Sequence, residues 1–180
     1  MGTTSALVSL DEYLNTSYEP DREFVDGALL ERNVGTPRHG LLQIIVGSYF
    51  RQYRKSHGIR TFGDTRLRIA ARRHRIPDVM VVEEPFQEDR VITDVPAITV
   101  EIKSPDDTFD QIIEKCFEYE ALGVRNILVM DPDNRRAWLF EQNNLRLLTG
   151  NSVPLNLSQS TLDFPFAEMF AELDLSLIHI

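Results

Sequence analysis

The sequence predicts an α/β chain of mixed α+β type, a mixed β-sheet flanked by helices. Two observations carry this prediction. Residues 97–130 hold a strand, a capped helix and a second strand. A crossover of that length makes the two strands parallel neighbours with a right-handed connection. The other apolar strands are separated by short turn signals, as in hairpins, so antiparallel pairs join the parallel one.

Ser9-Leu10-Asp11-Glu12 has the form of a capping box, opening a short helix with Leu10, Tyr13 and Leu14 on one face. Residues 23–26 lead into Asp26-Gly27, a tight hairpin turn, and 28–33 form the returning strand. Pro37 suits a helix start. The long helix is expected over 38–57, where Leu41, Leu42, Ile44, Ile45, Tyr49 and Tyr53 recur at three-to-four spacing and Gly58 stops it. Residues 59–62 and 65–70 read as two short strands around Gly63-Asp64, and 71–75 as an exposed basic turn. A strand over 76–83 precedes an acidic, irregular stretch at 84–95. The strand over 97–103 ends at Ser104-Pro105, because proline cannot join a central ladder. Thr108 and Gln111 suggest a second capping box, with a helix to about Leu122 and Gly123 as its stop. A strand at 126–130, a turn at 131–134, strands near 137–141 and 145–148, and a last amphipathic helix over 162–173 complete the chain. No internal repeat, low-complexity segment or linker divides it, so residues 1–180 are expected to form one domain.

Composition narrows the function. The 42% apolar and 26% charged residues are an ordinary globular balance. No run of 18 apolar residues predicts a spanning helix, and the first ten residues lack the features of a secretory signal. Cys116 stands alone, which excludes an internal disulfide and a cysteine-based metal site. It reads as a small core residue, and a cytoplasmic, reducing location is expected. The net charge of −9 argues against coating nucleic acid by bulk attraction. The charge is uneven, however: residues 51–75 hold nine cations against Asp64 alone, so this stretch is suited to meeting a polyanion locally. His57 and His74 lie within it, where they could meet phosphate, and are expected to be exposed. The four histidines show no metal-ligand spacing, and Trp138 reads as packing. There is no phosphate-binding glycine loop ending in Lys-Ser/Thr, which excludes a nucleotide cofactor of that kind, and no Gly-x-Ser-x-Gly elbow.

The chemistry gathers on two strands. In Ile98-Thr99-Val100-Glu101-Ile102-Lys103, alternation puts Glu101 and Lys103 on one face of an apolar, central strand. Charges there must be paired or bound to a metal, and Glu101 and Lys103 can also simply neutralise each other. Ile76-Pro77-Asp78 places an acid at the start of another apolar strand, which a short connection can bring beside Glu101. Two adjacent carboxylates repel unless a proton or cation joins them. Mg2+ takes one or two carboxylates together with water and substrate phosphate, and can polarise a phosphodiester. A lysine beside them can orient water or offset phosphate charge.

A longer ordered series adds to this pattern: Glu23-Phe24-Val25-Asp26-Gly27, Pro37-Arg38-His39, Ile76-Pro77-Asp78, Val100-Glu101-Ile102-Lys103-Ser104-Pro105, Lys115, Tyr119, Gly123-Val124 and Val129-Met130-Asp131-Pro132. Over about residues 9–172 the chain resembles the Uma-two family of restriction endonucleases, within the PD-(D/E)XK superfamily. The resemblance implies a restriction-endonuclease-like core, Mg2+ or Mn2+, and hydrolysis of DNA phosphodiesters. It implies Asp78 and Glu101 as metal-binding acids, Glu23 as a third acid able to join them, Lys103 as the catalytic lysine, and His39 as a contact to phosphate or an aid to proton transfer. Many such sequences lack a lysine two residues after the central acid and match a helix lysine instead, here Lys115. This chain has both, and strand geometry favours Lys103, with Lys115 as a phosphate contact or support. Gln111 stands where an aspartate is common in that family. Cutting two strands calls for two sites, so a homodimer is expected. The competing expectation is a non-cleaving protein of the same fold that binds nucleic acid or a protein partner. The net acidity motivates that reading, and the complete acid–acid–lysine set opposes it.

Overall fold

The computed structural model describes residues 7–33 and 35–177. The first helix, α1 (Leu10–Asn15), opens as expected, with the Glu12 N–H donating to the Ser9 hydroxyl at 3.1 Å. β1 (Arg22–Val25) and β2 (Ala28–Glu31) form the hairpin, turning through Asp26 and Gly27 at φ 52° and 101°. Positive φ at both central positions matches the strands' right-handed twist. α2 (Pro37–Gln52) starts with proline in its first turn and Thr36 as cap. It buries His39, Leu42, Ile45, Val46 and Phe50, while Ile44 is exposed. At Tyr53 the backbone leaves the helix, so the helix expected over 38–57 is two, with α3 (Arg54–His57) ending at left-handed Gly58.

β3 (Ile59–Gly63) and β4 (Leu67–Ala70) follow, and the pair read around Gly63-Asp64 belongs to two different sheets. Asp64 turns at φ 47°, which redirects the chain between them. The basic turn expected at 71–75 is also corrected. Residues Arg73–Arg75 are strand β5, with Arg75 buried because carboxylates on two other elements pair with it. β6 (Val79–Glu83), β7 (Ile98–Ile102), α4 (Phe109–Leu122) and β8 (Asn126–Asp131) fall where the apolar runs and caps place them. In α4, Thr108 and Gln111 satisfy each other's backbone N–H, and Gly123 closes the helix at φ 102°. β9 (Arg136–Glu141) and β10 (Asn144–Leu147) make a hairpin. β11 (Val153–Asn156) and β12 (Thr161–Phe164) form a further small one. β12 corrects the start of the last helix: Leu162 and Phe164 are buried while Thr161 and Asp163 are exposed, a period of two. The helix itself, α5 (Phe166–Leu177), begins after Pro165.

The main sheet runs β10-β9-β8-β7-β6-β3, and β7–β8 is its one parallel pair among the described residues. The second sheet, β2-β1-β5-β4, is antiparallel throughout. Alternation on β7 separates two cores. Ile98, Val100 and Ile102 face the α2/α5 side, where Phe50 stacks on Phe164 with centroids 5.2 Å apart. The opposite face meets Ile112, Cys116 and Tyr119 of α4. Glu101 therefore points to the α4 side of the sheet. Cys116 is fully buried, and Trp138 packs edge-on to Phe109 at 5.3 Å. No helix among the described residues is long and apolar enough to cross a membrane.

His74 is the unexpected core residue. It was expected at the surface, but β5 turns it inward against Tyr13 and Phe24, with centroids 5.6 and 6.1 Å away. Its Nδ1 has no hydrogen-bond partner, and burial, with Arg68 and Arg66 nearby, pushes it from the ordinary 6.5 down to about 4. A lowered histidine value means that the unfolded chain takes up the proton first. The contribution to stability is therefore intact above 6.5 and lost as pH falls toward 4. Denaturant unfolding should show the wild type losing about 2 kcal/mol more than His74→Gln between pH 7 and pH 4.5.

Candidate active site

The chain arranges its acids through local geometry. β6 and β7 pair antiparallel with Val79 opposite Val100, which sets Asp78 beside the end of β7. The Ile102 N–H donates to Asp78 Oδ2 at 2.6 Å, fixing the carboxylate where the two strands diverge. The second Asp78 oxygen, Oδ1, lies 2.8 Å from Arg32 Nη2, and His39 Nε2 is 3.3 Å from Oδ2. His39 is brought there by the first turn of α2. Gly35 matters to its position, since a Cβ at Gly35 would come within 2.8 Å of His39 Nδ1. Gln43, one turn further along α2, donates to the Asp78 carbonyl at 2.9 Å and to Asp64 at 2.7 Å.

Glu101 is met from α4. Tyr119 donates its hydroxyl to Oε1 at 2.6 Å, and Lys115 donates to Oε2 at 3.1 Å. Lys115 and Tyr119 are four residues apart, so one helical face serves one carboxylate. Lys115 also lies 3.0 Å from Glu23 Oε1, bridging β1 to β7. Glu23 accepts in addition from the Ile76 N–H at 3.2 Å and from Arg75 at 2.8 Å. Arg75 completes its fork on Glu118 of α4 at 2.6 and 2.8 Å. Together these groups border a cleft of about 730 Å³, lined by eight carboxylates against three lysines and arginines.

Electrostatics sort the acids. Burial disfavours the charge on Asp78, but His39, Arg32 and the Ile102 N–H outweigh it and hold the carboxyl below its ordinary range. Glu23 is likewise lowered, with Lys115 and Arg75 overcoming burial. Glu101 goes the other way. Burial, helped by the negative charges of Asp78 and Glu23, pushes it up to about 7 in spite of Lys115. His39 is raised, because the Asp78 carboxylate outweighs its burial. Lys115 alone therefore does not offset the burial of Glu101 and the two acids beside it. The cleft's hard oxygen donors suit Mg2+ or Mn2+. Among the described residues, no three acid, histidine or cysteine side chains converge as a ready-made cage.

Of the sequence-predicted residues, Asp78, Glu101, Glu23, His39 and Lys115 all line this cleft. Lys103 does not. β7 ends at Ile102, and the half-buried Lys103 turns its Nζ to the Ser104 carbonyl at 3.2 Å. It forms no ion pair among the described residues, so Lys115 is the lysine at Glu101, contrary to the strand-based expectation. Gln111 lines the cleft while serving as the helix cap. The basic segment is less free than its composition suggests. Arg60, Arg66, Arg73 and Arg75 are all engaged in ion pairs with acids of the same chain. Neither Arg32 nor Tyr119 stands out in the sequence as a site residue, and Arg75 does so only as one cation of the basic stretch. Tyr119 had a signal, its spacing from Lys115. Arg32 had none, since its partners are 32 and 46 residues away.

The model of the Uma2 family, described as "Putative restriction endonuclease", matches residues 10–169. The chain belongs to the Uma2 family. No curated protein matches it in sequence. Among solved structures it is similar to a nuclease, itself named as putative, of the DUF820 group from Anabaena variabilis ATCC 29413. The TM-score is 0.77 at 20% identity, covering 92% of this chain and 99% of that one. It is also similar, with a TM-score of 0.39 and 19% identity, to a DrdV–DNA complex, covering 71% of this chain and 10% of that one. The Uma2 chain therefore shares the fold of a nuclease-like protein over almost its whole length.

The Glu23–Arg75–Glu118 pairing makes a stability prediction. Arg75 has only 4% of its side chain exposed, as does Glu23, so removing the cation leaves buried charge behind. Arg75→Met should cost about 3–5 kcal/mol in chemical denaturation. A loss below about 1 kcal/mol would mean that the network carries no structural weight.

Proposed function

We propose that this Uma2 protein is a metal-dependent endonuclease that hydrolyses DNA phosphodiester bonds. The observation that carries the reading is the pair Asp78 and Glu101. Both are buried at one cleft, Asp78 immediately before β6 and Glu101 on its neighbour β7, and Lys115 is held on the second acid. Asp78 and Glu101 would hold Mg2+ or Mn2+, which supplies polarisation of the phosphodiester and neutralises its charge. Glu23, engaged by Arg75, the Ile76 N–H and Lys115, holds Lys115 toward Glu101. Lys115 orients the attacking water and offsets charge on the phosphoryl oxygens. His39, held more readily protonated by Asp78, would give a proton to the leaving oxygen as the P–O bond breaks. The acid-rich cleft supports the need for a divalent ion, because a phosphate strand entering it unaided meets net repulsion. Cutting both strands of a duplex takes two such sites, and we propose a pair of chains for that purpose.

One observation favours the second reading, a binding module of the same fold. Every oxygen of Asp78, Glu101 and Glu23 already has a protein donor. Incubation with supercoiled and linear DNA in Mg2+, Mn2+ or EDTA separates the two. Wild type should cleave only with metal, and Asp78→Asn and Glu101→Ala should be inactive. DNA binding without cleavage in any metal would instead favour the binding module. Within the same assay, Lys115→Met should lower the rate about 100-fold or more, whereas Lys103→Met should stay within about threefold. The reverse order would return the catalytic role to Lys103.

A further inference from the structure

Arg32 follows β2 and reaches into the cleft with both ends of its guanidinium engaged. Nη1 lies 2.7 Å from Asp64 Oδ1 and Nη2 2.8 Å from Asp78 Oδ1. Asp78 Oδ2 already receives the Ile102 N–H and faces His39, so Oδ1 is the Asp78 oxygen with capacity for another cation. Arg32 occupies it. The two anchors are unequal, since the Asp78 side chain is 6% exposed and that of Asp64 is 51% exposed. A guanidinium presents a planar fork that fits two phosphate oxygens as well as it fits carboxylates.

We propose that Arg32 is a movable counter-charge of this site, which holds Asp78 Oδ1 until a divalent cation takes that oxygen and then clamps a phosphate of the substrate strand. The inference rests on the metal-dependent reading above and adds a group and a sequence of contacts to it. A dication and a guanidinium on one carboxylate oxygen repel each other strongly in a partly dry cleft, so each weakens the hold of the other. The exposed Asp64 arm lets the guanidinium swing toward the cleft mouth without losing its last ion pair. The displaced fork then faces the region where a polyanion must enter. Arg32 thereby opposes metal binding and favours DNA binding, two effects of opposite sign from one side chain.

Titration calorimetry with Mn2+ alone tests the first effect without any turnover. Arg32→Gln should bind Mn2+ about tenfold or more tightly than wild type, because the competing cation is gone, and Arg32→Lys should stay close to wild type. Asp78→Asn should abolish Mn2+ binding, which tests the metal reading separately. Fluorescence anisotropy with a duplex oligonucleotide in Ca2+ tests the second effect. Arg32→Gln should bind several-fold more weakly, with a salt slope smaller by about one. If wild type binds Mn2+ and Arg32→Gln binds it no more tightly, the counter-charge role is overturned and the metal reading stands. Unchanged duplex affinity in Arg32→Gln overturns the clamp. If neither wild type nor Arg32→Gln binds Mn2+, both readings fall.

Discussion

Lys115 between Glu23 and Glu101 is the contact on which the rest of the site depends. Its ammonium stands about 3 Å from a carboxylate on each side, one on the small sheet and one on the main sheet. Neither acid could remain charged and buried alone, because desolvation of an isolated carboxylate outweighs what packing returns. A single helix lysine therefore joins β1, β7 and α4. The geometry of α4 makes this economical: its capping box fixes where the helix begins, and Ile112, Cys116 and Tyr119 fix which face meets the sheet. With that face set, Lys115 reaches both acids and Tyr119 reaches one of them.

The same constraint explains why the cleft is assembled from so many elements. Asp78 takes donors from β7, α2 and the segment after β2, and Glu23 takes them from β5, α4 and the start of the strand leading to Asp78. Each acid is stable only when several distant parts of the chain are in place. The balance is deliberately incomplete at Glu101, which burial and the neighbouring acids leave near neutral pH in its proton affinity. A group in that condition accepts an added positive charge at little cost, whereas Asp78 and Glu23 are already well compensated. Stability and the proposed chemistry thus draw on the same charges.

Much of this was legible in the sequence. The side-chain cap at Ser9, the capping box at Thr108, the Asp26-Gly27 turn and the parallel crossover over 97–130 follow from local rules and are found in the fold, and the strand that follows Asp78 is the neighbour of the one that carries Glu101. The illegible parts share a physical character. β3 and β4 are adjacent in sequence, yet they pair in different sheets because of one backbone turn at Asp64. Residues 161–164 alternate with a strand's period but are too few to separate from the helix that follows. The run ending at Arg75 looks like a solvated basic turn because the acids that bury it, Glu23 and Glu118, lie about fifty and forty residues away. No local pattern reports on partners at that separation.

Lys103 shows where a sound local rule reaches its limit. Alternation places residues i and i+2 on one face only while the ladder continues. β7 is last regular at Ile102; the Lys103 N–H still donates to the Met130 carbonyl at 2.8 Å, but its ammonium finds the neighbouring Ser104 carbonyl instead of Glu101. Helix geometry, by contrast, holds through the whole of α4, so the spacing of Lys115 and Tyr119 is the more dependable guide to what meets Glu101. A catalytic lysine can therefore be supplied from the strand or from the packed helix. In this chain the lysine beside Glu101 comes from the packed helix: Lys115 stands 3.1 Å from that acid, while the Lys103 ammonium is turned to Ser104.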